Sequence, residues 1–288
     1  MAPLRPDEWA IAPAPSVGDT YLTCALAEAF LARRGGRRVR VVVPQRLSCL
    51  LSIFPDARIA PLDPDEITEP LADPPGLRPE VPFHLNPMRL SGRWESAYAG
   101  RTIPFTLSYH DMLELPFPSF ARPRVPRPVQ SAAAGRFREL GLPPGRTVIL
   151  VPIGHSLATF SVPFWAELAS RFAAKGLTVV TNVAPHEPER VVPGTGPLSC
   201  PVDELIPIAE LAGTVVASRS GVCDLLSSAR TDLRILYHRP QYEWAPVAGV
   251  RLLWDLGACG LPDRASYFRM GGTEGTVEFA ERIVAGAG

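Results

Sequence analysis

The chain has 288 residues, 29 of them basic and 29 acidic, and 46% of its side chains are hydrophobic. That length buries one large core or two ordinary ones without disulfide or metal support, and the hydrophobic fraction excludes a disordered chain despite 33 prolines. A zero net charge removes any composition-level argument for nucleic acid or an anionic membrane as the main partner.

In chain order, Trp9-Ala10-Ile11-Ala12 reads as a first strand and residues 13–20 as its exit loop. Leu22, Ala25, Leu26, Ala29 and Phe30 then recur at helical spacing, and Gly35-Gly36 ends the helix. A second strand spans Arg37 to Val43. This β-loop-α-β opening places the Gly18-Asp19 loop at the carboxyl edge of a parallel sheet, where ligands bind. Asp19 has two compatible jobs there: capping the helix through its side chain, or taking a proton at the mouth of a cleft.

Residues 45–54 and 56–62 supply a further helix and strand. From Asp63 to about Pro128 the periodicity weakens and proline punctuates the chain. This stretch holds His84, Trp94, Glu95, Tyr98, His110 and Asp111. Each alone fits a packing role; together they form a candidate acceptor pocket. Ser131 to Leu140 reads as a helix, and a domain boundary is expected there, dividing the chain into 1–140 and 141–288.

The second half repeats the opening: strand Thr147 to Pro152, glycine-bearing loop Ile153-Gly154-His155-Ser156, helix Pro163 to Ala174, strand Leu177 to Thr181. An amphipathic helix at 203–211 leads to the β-branched strand around Val215-Val216. The turn Arg219-Ser220-Gly221 follows, with Ser220 as an N-cap hydroxyl. The amides of Gly221, Val222 and Cys223 are expected to be unpaired at a positive helix end, a seat for phosphate. Strand Leu233 to Tyr237 comes next, and a last helix over 276–284 is expected to pack back on the first domain.

Cys24, Cys49, Cys200, Cys223 and Cys259 are scattered, with no C-x-x-C pair and no histidine at ligand spacing, so they read as reduced thiols and no metal site is expected. No charged-then-apolar leader opens the chain, and no run approaches the ~18–20 apolar residues of a membrane span. The expected location is the cytoplasm, without stable membrane association.

The order of elements resembles the two-domain GT-B glycosyltransferases, and among them the heptosyltransferase-like family 9. Ser16-Val17-Gly18-Asp19-Thr20-Tyr21-Leu22-Thr23 is similar to that family's S-x-G-D-x-x-x-T opening, and Ile153-Gly154 with Pro163 to Leu168 looks like the first loop and helix of the donor domain. His186-Glu187-Pro188-Glu189-Arg190 is similar to the H-E-x-E-R segment, and Asp203-Glu204-Leu205 through Val222 to the stretch that closes around the diphosphate. Three departures stand out. Arg219 replaces an aspartate, Asp224 replaces a histidine, and Ala158-Thr159-Phe160 carries no lysine.

The resemblance implies an α/β fold with two Rossmann-like doubly wound domains facing a cleft. It implies an inverting, metal-independent transferase that uses a nucleotide-sugar substrate and no cofactor, with Asp19 as catalytic base. Donor contacts would come from Gly154, His155, Ser156, Glu187, Arg219, Ser220, Gly221, Val222, Cys223 and Asp224, with Arg219 adding a charge-assisted contact to the diphosphate. Acceptor contacts would come from Gly18, Thr20, His84, His110 and Asp111. The short chain and lack of a basic amphipathic surface favour a small-molecule acceptor, as in natural-product tailoring, over lipopolysaccharide. The alternatives are a nucleotide-sugar epimerase of the same architecture and a non-catalytic nucleotide-sugar-binding protein.

Overall fold

The structure, a computed structural model, describes residues 4–5, 7–54, 56–67, 71, 79, 81–85, 97–154, 160–185, 187–238, 243–247 (backbone only), 250–261, 265–272 and 274–285. Its early elements are β1 (Glu8–Pro13), α1 (Val17–Arg34), β2 (Arg38–Val42), β3 (Ile59–Leu62), β4 (Phe83–Leu85), β5 (Thr102–Pro104) and α2 (Phe105–Met112). Next come α3 (Arg127–Glu139), β6 (Thr147–Val151), α4 (Val162–Ala174), β7 (Thr178–Asn182), β8 (Gly196–Leu198), α5 (Leu205–Ala212), β9 (Gly213–Ser218), α6 (Gly221–Leu226) and β10 (Asp232–Tyr237). The chain closes with β11 (Glu243–Val247), β12 (Val250–Leu253), β13 (Ser266–Arg269) and α7 (Thr276–Ala285). The stretch Gln45–Ile53, expected as a helix, winds as a 3-10 helix.

Two compact units divide the chain: residues 1–126 with 243–262, and residues 127–242 with 263–288. The division therefore falls ahead of α3 rather than at its end, and a returning segment joins the first unit. In that unit β1 is the buried centre of a parallel sheet of order β3-β2-β1-β4. All six β1 residues are buried, and from Trp9 onward the strand is accordingly a continuous apolar run rather than an alternating one. α1 sets Tyr21, Leu22, Ala25, Leu26 and Phe30 into the core and stops at Gly35, whose φ of 73° is the left-handed conformation glycine adopts freely. A second, smaller sheet joins β11, β12 and β5, with β12 antiparallel to β11 and parallel to β5.

The second unit carries a six-stranded, wholly parallel sheet of order β13-β10-β9-β6-β7-β8. The chain winds outward from β6 in both directions, so the topological switch point lies between β6 and β9, where open α/β sheets bind ligands. On one face, Val148, Leu150, Val216 and Leu236 pack with Phe164, Trp165, Leu168 and Phe172 of α4 and Phe279 and Ile283 of α7. Each such buried side chain contributes roughly 1.5–3 kcal/mol. The fully buried Arg234 donates to the Ile283 carbonyl and to Asp232 Oδ2, and Lys175 Nζ donates to the Val284 carbonyl at 2.9 Å, so α7 is held on α4's side of this sheet. The last helix thus belongs to the second unit; segment 243–262 is what returns to the first. Cys24, Cys223 and Cys259 are buried, and burial pushes the Cys24 thiol up to about 12.

Candidate active site

Asp19 sits inside the first turn of α1, not in the loop before it. Ser16 is the N-cap: in an extended conformation it accepts a hydrogen bond from the Asp19 amide at 3.1 Å, and its own hydroxyl donates to Asp19 Oδ2. The capping role weighed for Asp19 therefore falls to Ser16. Tyr109, fully buried on α2, donates its hydroxyl to Asp19 Oδ1. Both carboxylate oxygens are thus oriented by a hydroxyl, at the positive end of an 18-residue helix. A carboxylate has about four lone-pair sites, so further acceptor capacity remains for an incoming proton.

Tyr109 is itself fixed from behind. Phe105, one turn earlier on α2, stacks on Trp254 with centroids 4.3 Å apart, and the Thr106 hydroxyl donates to the Cys259 carbonyl at 2.7 Å. The returning segment therefore braces the helix that orients Asp19.

The acceptor candidates are treated unevenly. His84, in β4, pairs across to Ala12 near the carboxyl end of β1. Asp111 is half-buried, one residue beyond His110 on α2, while Gly18 and Thr20 are buried inside α1 and offer no exposed group to an acceptor. His110 is a correction. It is fully buried, Nδ1 donates to the Thr106 carbonyl at 2.8 Å, Nε2 accepts from the Ser119 amide at 3.0 Å, and Phe117 and Phe120 stand edge-on to it. Burial holds its pKa below the ordinary value, with the Thr106 hydrogen bond opposing. Both nitrogens are occupied, so it packs α2 rather than touching a substrate.

In the second unit the turns after β6 and β9 meet. A Cβ added to Gly154 would lie 3.1 Å from the Arg219 carbonyl oxygen and 3.3 Å from Ser220 Cβ, so any side chain here would have to loosen this approach at the switch point by a few tenths of an ångström. Ser220 occupies the N-cap position of α6, yet its hydroxyl makes no capping bond. The Cys223 amide, expected to be open, donates to the Ser220 carbonyl at 2.9 Å. Arg219 and Asp224 are 3% and 2% exposed and face each other: Nη2 to Oδ1 is 2.8 Å and Nη1 to Oδ2 is 3.3 Å, with Nη1 also donating to the Ser220 carbonyl. The expected charge-assisted contact from Arg219 to a diphosphate is therefore replaced by an internal ion pair, and Asp224 is equally unavailable. Glu187, beyond β7, is half-buried and pairs with Arg190 at 3.2 Å. His155, Ser156 and His186 lie outside the described residues.

Three residues not singled out from the sequence belong to this description: Tyr109, and Ser218 and His238 at the carboxyl ends of β9 and β10. The signal for the last two was positional, since Ser218 ends an apolar strand and His238 immediately follows one at the ligand-binding edge. Tyr109 had no such signal. Among the described residues no three His, Cys, Asp or Glu side chains gather as a metal site, and no helix is long and apolar enough to cross a membrane.

No family model and no curated protein matches the sequence. Solved structures do match. A family 9 glycosyl transferase from Veillonella parvula superposes with a TM-score of 0.65 at 13% identity, covering 99% of this chain and 97% of that one. The E. coli ADP-heptose lipopolysaccharide heptosyltransferase II gives 0.63 at 14% identity, over 97% and 99% of the two chains. The E. coli heptosyltransferase WaaC with ADP gives 0.54 at 12%, over 98% and 100%. The architecture is thus the α/β fold of GT-B-type glycosyltransferases, and the particular likeness is to the heptosyltransferase-like family 9 fold.

Proposed function

We propose that this chain is an inverting glycosyltransferase that moves a sugar from a nucleoside-diphosphate donor to a small-molecule acceptor, with Asp19 as general base. The observation that carries the reading is Asp19 itself, a carboxylate oriented by Ser16 and Tyr109 at the carboxyl edge of the first unit. The fold likeness supports the same reading, because the solved neighbours include an ADP-heptose transferase and a heptosyltransferase with ADP.

In the proposed step an acceptor hydroxyl oxygen attacks the anomeric carbon from the face opposite the diphosphate. Its proton passes to an Asp19 oxygen, the anomeric carbon–oxygen bond to phosphate breaks, and the nucleoside diphosphate leaves with the electron pair. The donor would lie along the switch point of the second unit, against Gly154, Ser220 and the start of α6, with Glu187 toward the ribose. No metal enters this reading, and the acceptor class suits natural-product tailoring.

Two measurements test it. A thermal-shift screen of nucleoside diphosphates and their sugars identifies the donor, since a ligand at about 100 times its dissociation constant adds about 2.7 kcal/mol. Asp19→Asn should then bind that donor as well as the wild type but transfer or hydrolyse it roughly 10²–10⁴-fold more slowly. Unchanged turnover in the variant would remove Asp19 from the chemistry.

A further inference from the structure

Buried polar groups in folded proteins find hydrogen-bond partners in roughly nine cases of ten or more, so orphans gathered at one place need an explanation. Ser218 Oγ and His238 Nδ1 are both buried and both without a partner. They lie together at the carboxyl edge of the second sheet. The Cα register sets Ser218 beside Leu236, which puts His238 just past it on the neighbouring strand's exit.

Ser218 and His238 also share a face. Val216 and Leu236 point into the core beneath α4 and α7, and side chains alternate along a strand, so the residues two positions further on turn the same way. The His238 ring confirms this for its side, lying 5.2 Å from Phe160 of the same core. Ser218 is 2% exposed, so its hydroxyl cannot turn to bulk water. Phe160 immediately precedes the N-cap Ser161 of α4, a helix of 13 residues. Its positive end therefore adjoins His238. The Ser218 hydroxyl can donate, as can the imidazole when Nδ1 carries the proton, and a helix N-terminus adds positive potential to them. What such a set lacks is an anionic oxygen acceptor.

We infer that Ser218 and His238 form the polar seat for the donor's diphosphate, and that His238 Nδ1–H contacts a phosphate oxygen directly. This rests on the donor reading above and extends it to residues that neither the motifs nor the Arg219–Asp224 pair supply. With Arg219 consumed internally, His238 becomes the second unit's polar contact to the leaving group.

The test measures ADP, UDP and GDP binding by calorimetry to the wild type and to His238→Phe, His238→Asn and Ser218→Ala. Phenylalanine keeps a ring against Phe160 but has no N–H, whereas the asparagine amide can present one near the Nδ1 position. The tightest diphosphate should weaken about tenfold or more in His238→Phe, and clearly in Ser218→Ala, while His238→Asn stays within about threefold of wild type. Wild-type affinity in His238→Phe, or equal losses in His238→Phe and His238→Asn, would overturn the inference and leave the donor reading standing. Failure of all three diphosphates to bind the wild type would instead bring down the donor reading itself.

Discussion

Arg219 grips the Asp224 carboxylate at 2.8 Å with both side chains almost wholly excluded from solvent. The two positions are also where the chain departs from the family pattern it resembles, an aspartate becoming arginine and a histidine becoming aspartate. They are one change rather than two, because each supplies the charge that makes the other tolerable. Breaking such a pair strands a buried charge, so Arg219→Met or Asp224→Leu alone should cost about 3–5 kcal/mol in urea unfolding. Removing both together should recover much of that loss, since a buried pair as a whole is often near neutral in stability. A single variant as stable as wild type would show that the pair does not hold the turn. Any weakening of donor binding by Arg219→Ala then acts through the shape of the turn.

The second prediction concerns Tyr109. Its hydroxyl reaches Asp19 from 90 residues away, while the ring is locked between the α1 core and the Phe105–Trp254 stack. Tyr109→Phe leaves the ring and removes one oriented hydrogen bond to the base. Turnover should fall about tenfold, the size of one hydrogen bond, with donor affinity unchanged and stability reduced by about 1 kcal/mol. An equal loss in donor affinity would mean that the variant disturbs more than the carboxylate.

These residues also mark how far the sequence could be read. The two strand–helix–strand runs and the Ser16 to Thr23 and Gly154 signals were visible because helical spacing and glycine turns are local. The β5–α2 unit and the returning β11–β12 pair were not, since these strands are only three to five residues long and β5 owes its place to β12, more than a hundred residues away. Tyr109 was invisible for the same reason. His110 suggested a site because it stands among polar and aromatic groups in a proline-punctuated stretch, and Arg219 because it lies in a strand-to-helix turn that resembles a diphosphate-binding motif. Burial decided otherwise, and burial is a tertiary property.

His110 makes a prediction about pH. Its folded-state pKa is lowered by burial, so between the unfolded value near 6.5 and the lower folded value the unfolded chain holds more protons. Stability is then full above about pH 6.5 and falls as pH drops through that window, with a slope of at most about 1.4 kcal/mol per pH unit from this group. His110→Gln retains a polar side chain but cannot titrate. Its urea midpoint should lose that part of the acid dependence, and an identical slope in both proteins would assign the acid sensitivity elsewhere.

Gly154 gives the sharpest test of where the switch point acts. Its φ is not in the left-handed region, so alanine there is conformationally acceptable, and the difficulty is only the 3.1 Å approach to the Arg219 carbonyl. That neighbour is backbone and cannot swing aside, so Gly154→Ala must push the β6 and β9 turns apart by a few tenths of an ångström. The strain is small in stability, offset by the roughly 0.4–1 kcal/mol that alanine gains by restricting the unfolded chain. It is large in geometry, because the turns that move are the ones proposed to hold the diphosphate. Gly135 is the control: it lies in α3 with nothing within 4 Å of an added Cβ, so Gly135→Ala should stabilise by up to about 1 kcal/mol and leave binding alone. A diphosphate affinity in Gly154→Ala matching that of Gly135→Ala would place the ligand somewhere other than this crevice.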